Sequence, residues 1–240
     1  MTQPNTLRAL IVGATGASGQ LLTQRLLDDP RYSEVHILHY RTTSFSGRPK
    51  VCEHLLTLDD LSKFQISSDE DSPVDRVFCC LGTTLKQAGS VAAFARVDRD
   101  YVIELGRWVQ RHKVAQFHVV SSLGVSARSP NYYSRTKGEM ETALRNLNLP
   151  GLCIYRPSML HARRNPPRLN ERLSFPIVKA LCLLPGLGRF QPLDVADLAA
   201  AIHLQSLDEL SGIKEIQSVD MQGANNQEHL PSNNSGDGHR

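Results

Sequence analysis

The chain has 240 residues, of which 40% are hydrophobic and 21% charged, with a formal net charge of +3. That size and balance predict a single soluble, globular domain with a full core. So small a net charge gives no reason to expect a nucleic-acid partner, and no apolar run is long enough to span a bilayer.

The chain reaches a strand-like run within a few residues of Met1, with no basic n-region followed by an apolar h-region. Secretion is therefore not expected, and a cytoplasmic location is. The first strand, near 8–12, enters three glycines spaced by three, Gly13, Gly16 and Gly19, and a helical pattern follows over 17–28. Gly13 permits a tight turn, Gly16 lets the backbone approach a pyrophosphate, and Gly19 lets the helix lie close to the sheet. The free amides at the helix start then face the phosphates. With a strand before it and a helix after it, the glycine triplet predicts dinucleotide binding.

A second strand, near 34–40, ends in His39-Tyr40-Arg41-Thr42-Thr43-Ser44. An NAD site carries a carboxylate about 20 residues beyond the glycines, where it binds the ribose 2′-hydroxyl. No carboxylate stands there. Arg41 offers a planar cationic fork suited to a 2′-phosphate, so NADP(H) is expected in preference to NAD(H). Arg48 and Lys50 are lesser candidates for the same group.

A strand near 52–57 precedes a short helix after Leu58, and Asp69 to Asp75 reads as an acidic surface loop. The next strand, near 76–81, runs into Gly82-Thr83-Thr84, where backbone and hydroxyls can lie against a cofactor. A helix is predicted over 90–112. The strand near 116–121 ends in Ser121-Ser122; Tyr133 follows eleven residues after Ser122, and Lys137 four after that, on a helix over 134–147. Tyrosine and lysine at that spacing share a helical face. A nearby ammonium favours phenolate, which fits Tyr133 for acid–base work near neutral pH, with Ser122 holding the substrate oxygen. Tyr132 does not share the lysine's face.

After a strand near 151–156 the alternation stops. Arg163, Arg164 and Arg168 surround Pro166-Pro167, and an apolar stretch from Leu173 to Leu184 leads to Pro185-Gly186-Leu187-Gly188. Residues 158–190 read as an inserted, substrate-covering segment, its arginines either solvated or attracting an acidic substrate group. His161 is a candidate to face that pocket or an ordinary half-buried histidine. Asp194 reads as the N-cap of a helix over 194–206. From about Asp220 the composition predicts a disordered tail, which leaves 1–219 as one domain. A homodimer or a protein partner is left open: helix 90–112 or the apolar 173–184 stretch could form the contact, or either could be core.

Strands alternating with helices predict an α/β fold, a doubly wound parallel sheet with helices on both faces. Ligand should sit at the carboxyl ends of the strands, where their order reverses. The five cysteines lack metal-type spacing and read as reduced, buried thiols, with a redox role for Cys79–Cys80 as the lesser alternative. The nine histidines are scattered, so no metal site is expected.

Gly13-Ala14-Thr15-Gly16-Ala17-Ser18-Gly19, Ser122, Tyr133, Lys137 and Arg156-Pro157 together resemble an atypical short-chain dehydrogenase/reductase. More narrowly, Phe78 to Tyr101, Ser121-Ser122 and Lys137-Gly138-Glu139 resemble the Tat-interacting-protein oxidoreductase family. The resemblance implies a Rossmann-like fold and NADP(H). Gly13, Thr15, Gly16, Ala17, Ser18 and Gly19 would line the pyrophosphate, Arg41 would meet the 2′-phosphate, and Leu81, Gly82 and Thr83 would lie along the adenosine. Tyr133 and Lys137 would form the acid–base pair, with Lys137 also gripping the nicotinamide ribose and Pro157 approaching the nicotinamide. There are departures. Thr57-Leu58 stands where related chains often carry an adenine-contacting Asp, and Asp98 stands where many extended relatives carry Asn. The chain after Pro157 is also shorter than in sugar-nucleotide epimerases, so that activity is not expected. The resulting expectation is an NADP(H) oxidoreductase acting on a small carbonyl or alcohol; the alternative is an NADP(H)-sensing regulator or scaffold without turnover.

Overall fold

A computed structural model describes residues 6–66, 74–161 and 191–227. Strand β1 (Leu7–Val12) leads into helix α1 (Ala17–Asp28), followed by β2 (Tyr32–His39) and β3 (Val51–Leu55). A 3-10 turn (Leu58–Lys63) precedes β4 (Arg76–Cys79). The helical stretch after it comprises α2 (Leu85–Ala88), α3 (Val91–Ala95), one wide π turn (Arg96–Asp100) and α4 (Tyr101–Arg111). Then come β5 (Gln116–Val120), α5 (Tyr132–Arg145) and β6 (Gly151–Arg156). The two-residue strands β7 (Leu160–His161) and β8 (Leu193–Asp194) pair with each other before α6 (Val195–Leu207) and β9 (Gly212–Gln217).

The sheet runs β3-β2-β1-β4-β5-β6-β9 with every neighbouring pair parallel. This is the doubly wound order, with the reversal between β1 and β4. Both faces are apolar, as a parallel sheet requires. The period of two divides β1 between them: Ala9 and Ile11 pack with Leu22, Leu26, Leu198 and Ile202 of α1 and α6, whereas Leu10 and Val12 pack with Leu105, Trp108, Met140 and Leu144 of α4 and α5. The apolar side of α4 thus lies in the chain's own core.

Three features differ from expectation. Strand β9 is absent from the sequence reading, because GIKEIQ lies at a sheet edge with its first four residues exposed and so lacks a strand's apolar alternation. Helix 90–112 is interrupted: the Tyr101 amide reaches back five residues to the Arg96 carbonyl, opening the π turn. The chain from Asp220 to Gln227 is packed rather than disordered, since Met221 is fully buried in the core and Ala224 nearly so. Its polar composition conceals these two anchors. Residues 228–240, Arg163, Arg164, Arg168, Cys182 and the 173–184 stretch lie outside the described residues. The expected cap holds: the Asp194 carboxylate accepts from the Ala196 amide at 2.9 Å.

Candidate active site at the carboxyl ends of the strands

The strand-order reversal opens a cavity of about 500 Å³. One wall is the glycine loop, with Val12, Gly13, Thr15 and Gly16; the other is the end of β4, with Cys80, Leu81 and Gly82. Leu38, His39 and Tyr40 close the β2 side, and Thr57, Leu58, Val97 and Tyr101 complete the lining. The glycines are required by contact. Gly13 has φ +92°, and a Cβ there would stand 2.6 Å from the Cys80 carbonyl carbon. A Cβ on Gly19 would overlap the Gly13 carbonyl, so only glycine lets α1 start this close to the turn. At Gly16 the nearest protein atom is 3.5 Å away. The protein itself has room for a side chain there, so the open space belongs to whatever fills the cavity. Gly16 is the N-cap and supplies no side-chain acceptor, which leaves the first amides of α1, at Ala17, Ser18 and Gly19, without intrahelical partners.

His39 is a site residue that sequence reasoning did not assign. It ends β2 where a carboxylate was sought, and its Nε2 lies 3.1 Å from the Thr15 hydroxyl while its Nδ1 lies 2.8 Å from the Arg41 carbonyl. The Tyr40 ring stacks on it at 4.5 Å, and the Arg41 guanidinium lies 5.2 Å over Tyr40. Arg41 is therefore exposed at the rim, one residue beyond the lining. Arg48 and Lys50 are committed elsewhere. Arg48 donates to Gln24 at 2.7 Å, and Lys50 donates to the Leu27 and Asp29 carbonyls at 3.1 and 2.9 Å.

A second cavity, of about 560 Å³, lies at the ends of β5 and β6. Ser121, Ser122, Tyr133 and Ser158 supply hydroxyls, and Leu123, Pro157, Met159 and Leu160 supply apolar surface. The structure thus brings Ser122, Tyr133 and Pro157 to one place. The α5 helix carrying Tyr133 starts at the Asn131 cap, whose side chain accepts from the Ser134 amide at 3.1 Å, and Tyr133 leans on Phe94 at 5.7 Å. A Cβ on Gly138 would overlap the Ser126–Ala127 backbone, so this glycine sets the depth of α5. Tyr132 turns to Phe94 edge-on, and His161 lies beyond the lining.

Lys137 lines neither cavity. Its ammonium, almost wholly buried, sits 2.9 Å from Asp98 Oδ1 and 3.5 Å from the Val120 carbonyl. The other Asp98 oxygen accepts from the Thr83 amide at 2.9 Å. Asp98 stands in the π turn, which widens the helix where this carboxylate enters the core. One buried carboxylate therefore ties the Gly82-Thr83 turn to the lysine of α5. Ser121 lies against Glu141; burial would raise that carboxyl, but Arg156, Ser121 and Arg145 hold it below its ordinary range. Burial pushes Cys79 up to about 11 and raises Cys80 as well, so both stay protonated and neither suits a redox nucleophile.

The fold and these two cavities define a nicotinamide-dinucleotide-type α/β protein. The NAD dependent epimerase/dehydratase family matches residues 9–204, and the chain belongs to that family. It is 31% identical over 170 residues to Protein HTATIP2 of Rattus norvegicus, covering 68% of this chain and 67% of that one. It is 30% identical over 183 residues to Protein FMP52, mitochondrial, of Chaetomium globosum, covering 75% and 77%. Both are atypical short-chain dehydrogenase/reductase members. Among solved structures, the Bordetella bronchiseptica enzyme WbmF in complex with NAD+ and UDP superposes with a TM-score of 0.63 at 18% identity, covering 97% of this chain and 83% of that one. UDP-glucuronic acid 4-epimerase from Bacillus cereus in complex with NAD gives 0.60 at 15%, covering 88% and 78%. At such identities the likeness is one of fold. Among the described residues no helix is long and apolar enough to cross a membrane.

Proposed function

We propose that the protein is an NADP(H)-dependent oxidoreductase of the short-chain dehydrogenase/reductase type, acting on a small carbonyl or alcohol. The observation that carries this reading is the shared cavity of Ser122, Tyr133 and Pro157, at the same edge of the sheet as the glycine-loop cavity. The dinucleotide fits the glycine loop because the space above Gly16 and the uncapped start of α1 suit a pyrophosphate. Gly13, Thr15, Gly16, Ala17, Ser18 and Gly19 would hold it, with Leu81 and Gly82 opposite. Bound there, the cofactor supplies or accepts a hydride.

The chain's own residues do the rest. Ser122 donates a hydrogen bond to the substrate oxygen and fixes it. The Tyr133 hydroxyl gives that oxygen a proton in reduction and takes it back in oxidation. Lys137, clamped by Asp98 beneath the cavities, supplies a fixed positive charge one helical turn from Tyr133 rather than a direct grip on the nicotinamide ribose. Thr83 acts through its amide on Asp98 rather than on the cofactor. Arg41, at the rim beside Tyr40, meets the 2′-phosphate. A pure sensor would need no proton donor; the Ser122 hydroxyl and the Tyr133 phenol in one open cavity favour turnover over the sensor reading.

Titration with NADPH and NADH, followed by fluorescence, tests the cofactor. Wild type should prefer NADPH, and Arg41→Ala should lower NADPH affinity about 10- to 100-fold, toward the NADH value, as expected for losing a charge-assisted bond. Equal affinities in wild type would remove the assignment. Cys52, Cys79, Cys80 and Cys153 are free thiols, which suits a reducing compartment; fractionation distinguishes the cytosol from the mitochondrion named for the fungal relative.

A further inference from the structure

The β2–β3 edge of the sheet carries ligating side chains that the chemistry above does not use. Glu34 and His36 stand two apart on β2, and Cys52 and His54 two apart on β3, so each pair shares a sheet face. The parallel register sets His36 beside Cys52. A carboxylate oxygen of Glu34, a ring nitrogen of His36 and the Cys52 sulfur consequently lie within 4.8 Å of one another. From this geometry we propose that Glu34, His36 and Cys52 bind a divalent transition cation of the zinc type, with His54 as outer partner.

The donor set selects the cation. One sulfur, one nitrogen and one oxygen, with a fourth position left for water, suit tetrahedral Zn²⁺. Magnesium and calcium take oxygen ligands instead. His36 is the pivot, with Nε2 3.2 Å from the Glu34 carboxylate and Nδ1 2.9 Å from His54 Nε2. Without a cation, His54 donates to His36 and His36 donates to Glu34. With one, both rings change tautomer: His36 Nε2 ligates, and its Nδ1–H donates to His54. That outer hydrogen bond is the one a metal-bound histidine normally makes. The Cys52 thiol proton passes to solvent.

The surroundings agree. His54 is wedged between His36, at 5.2 Å, and Phe64, at 5.1 Å. Glu34 is exposed, which gives the ion a way in. Arg8, in register with Glu34 on β1, has its Nε 3.9 Å from Asp75, whose carboxylate offsets its charge. None of the three ligands lines the glycine-loop cavity. At about 3.3 Å per residue, His36 lies roughly 10 Å before the end of β2. The ion would therefore tether the edge strand and the base of the 40–50 connection, which carries Arg41. Sequence spacing does not register this grouping, because the side chains meet across two strands, outside any local motif.

The full chain, freed of metal by chelator, is titrated with Co²⁺ and then Zn²⁺. About one equivalent of Co²⁺ should bind and give thiolate-to-cobalt charge-transfer absorption, which Zn²⁺ abolishes by displacement. Cys52→Ser should lose that band while binding NADPH as wild type does. Glu34→Gln, at an exposed position, should keep the fold and weaken Co²⁺ at least tenfold. His54→Phe keeps the stacked ring, so it should retain the band at saturation with affinity about 10- to 100-fold lower. No stoichiometric Co²⁺ binding, or a band that survives in Cys52→Ser, would overturn the site. Neither result bears on the oxidoreductase reading, which is decided by nucleotide titration.

Discussion

The buried pair between Asp98 and Lys137 makes the sharpest prediction. Its side chains are 1% and 4% exposed and their charges 2.9 Å apart, so neither can recover solvation from water if the other is removed. In Asp98→Asn the amide oxygen can still accept from Thr83, but the lysine ammonium is left with only the Val120 carbonyl, 3.5 Å away. Breaking one side of such a pair costs about 3–5 kcal/mol. In a domain of this size that is a fall in Tm of about 6–20 °C. Lys137→Met should cost a similar amount, because it strands the carboxylate. The double variant removes both charges together, and replacing a whole buried pair by neutral groups is often close to neutral. It should therefore be more stable than either single variant. Urea unfolding at pH 7, with m-values required to match, measures all three. Single losses that simply add, or an Asp98→Asn cost under about 1 kcal/mol, as for a solvated surface pair, would refute the argument. NADPH affinity should fall in Asp98→Ala, which, unlike Asn, leaves the Thr83 amide of the Gly82-Thr83 turn without its acceptor.

Tyr133→Phe should lower kcat by about 10²–10⁴-fold, the range of general acid–base catalysis, with NADPH affinity unchanged; full turnover on a true substrate would exclude it as the acid. Gly138→Ala should destabilise by about 1–3 kcal/mol, because its methyl meets the Ser126–Ala127 backbone, and should lower kcat by moving Tyr133; thermal melts and steady-state kinetics check this. Acid should weaken the fold through His118, which burial holds at about 3 against an ordinary 6.5. The unfolded chain binds the extra proton between those values. Stability is therefore complete above about pH 6.5 and falls by about 1.4 kcal/mol per pH unit below it, until the folded group also protonates near pH 3. His118→Gln should flatten the slope of urea midpoint against pH between 6 and 4; an unchanged slope would show that other groups carry it.

The parts of the fold legible in the sequence are those with local signatures. The glycine turn, the strand ends and the helix faces all rest on periodicities of two or 3.6 and on residues whose backbone freedom is needed where they stand. Strand β9 was hidden because an edge strand buries little, and Met221 because two apolar anchors are lost in a polar stretch. At the site, Ser122 and Tyr133 were readable from their place after a strand and on a helix. His39 was not legible because the dinucleotide fingerprint calls for a carboxylate at the end of β2, and an imidazole there carries no such signal. The partner of Lys137 was also out of reach: Asp98 was visible only as a departure from an asparagine, and its pairing spans two elements far apart in the chain.

That pairing explains why the helix between β4 and β5 is not regular. A continuous α-helix over 91–111 would advance every residue by the same angle, and Asp98 could not be rotated relative to the apolar face of α4 without turning Val102, Leu105 and Trp108 out of the core. The π turn absorbs one extra residue, so the carboxylate and the apolar face are set independently. The carboxylate then joins two elements with different tasks, the turn after β4 that walls the nucleotide cavity and the helix that carries Tyr133. The two elements are set by different local contacts: the turn contains Gly82, and the depth of α5 is set at Gly138 by the Ser126–Ala127 backbone. The buried Asp98–Lys137 clamp fixes the wall of the glycine-loop cavity relative to Tyr133, which is the relation that the proposed delivery of a hydride and a proton to one substrate would require.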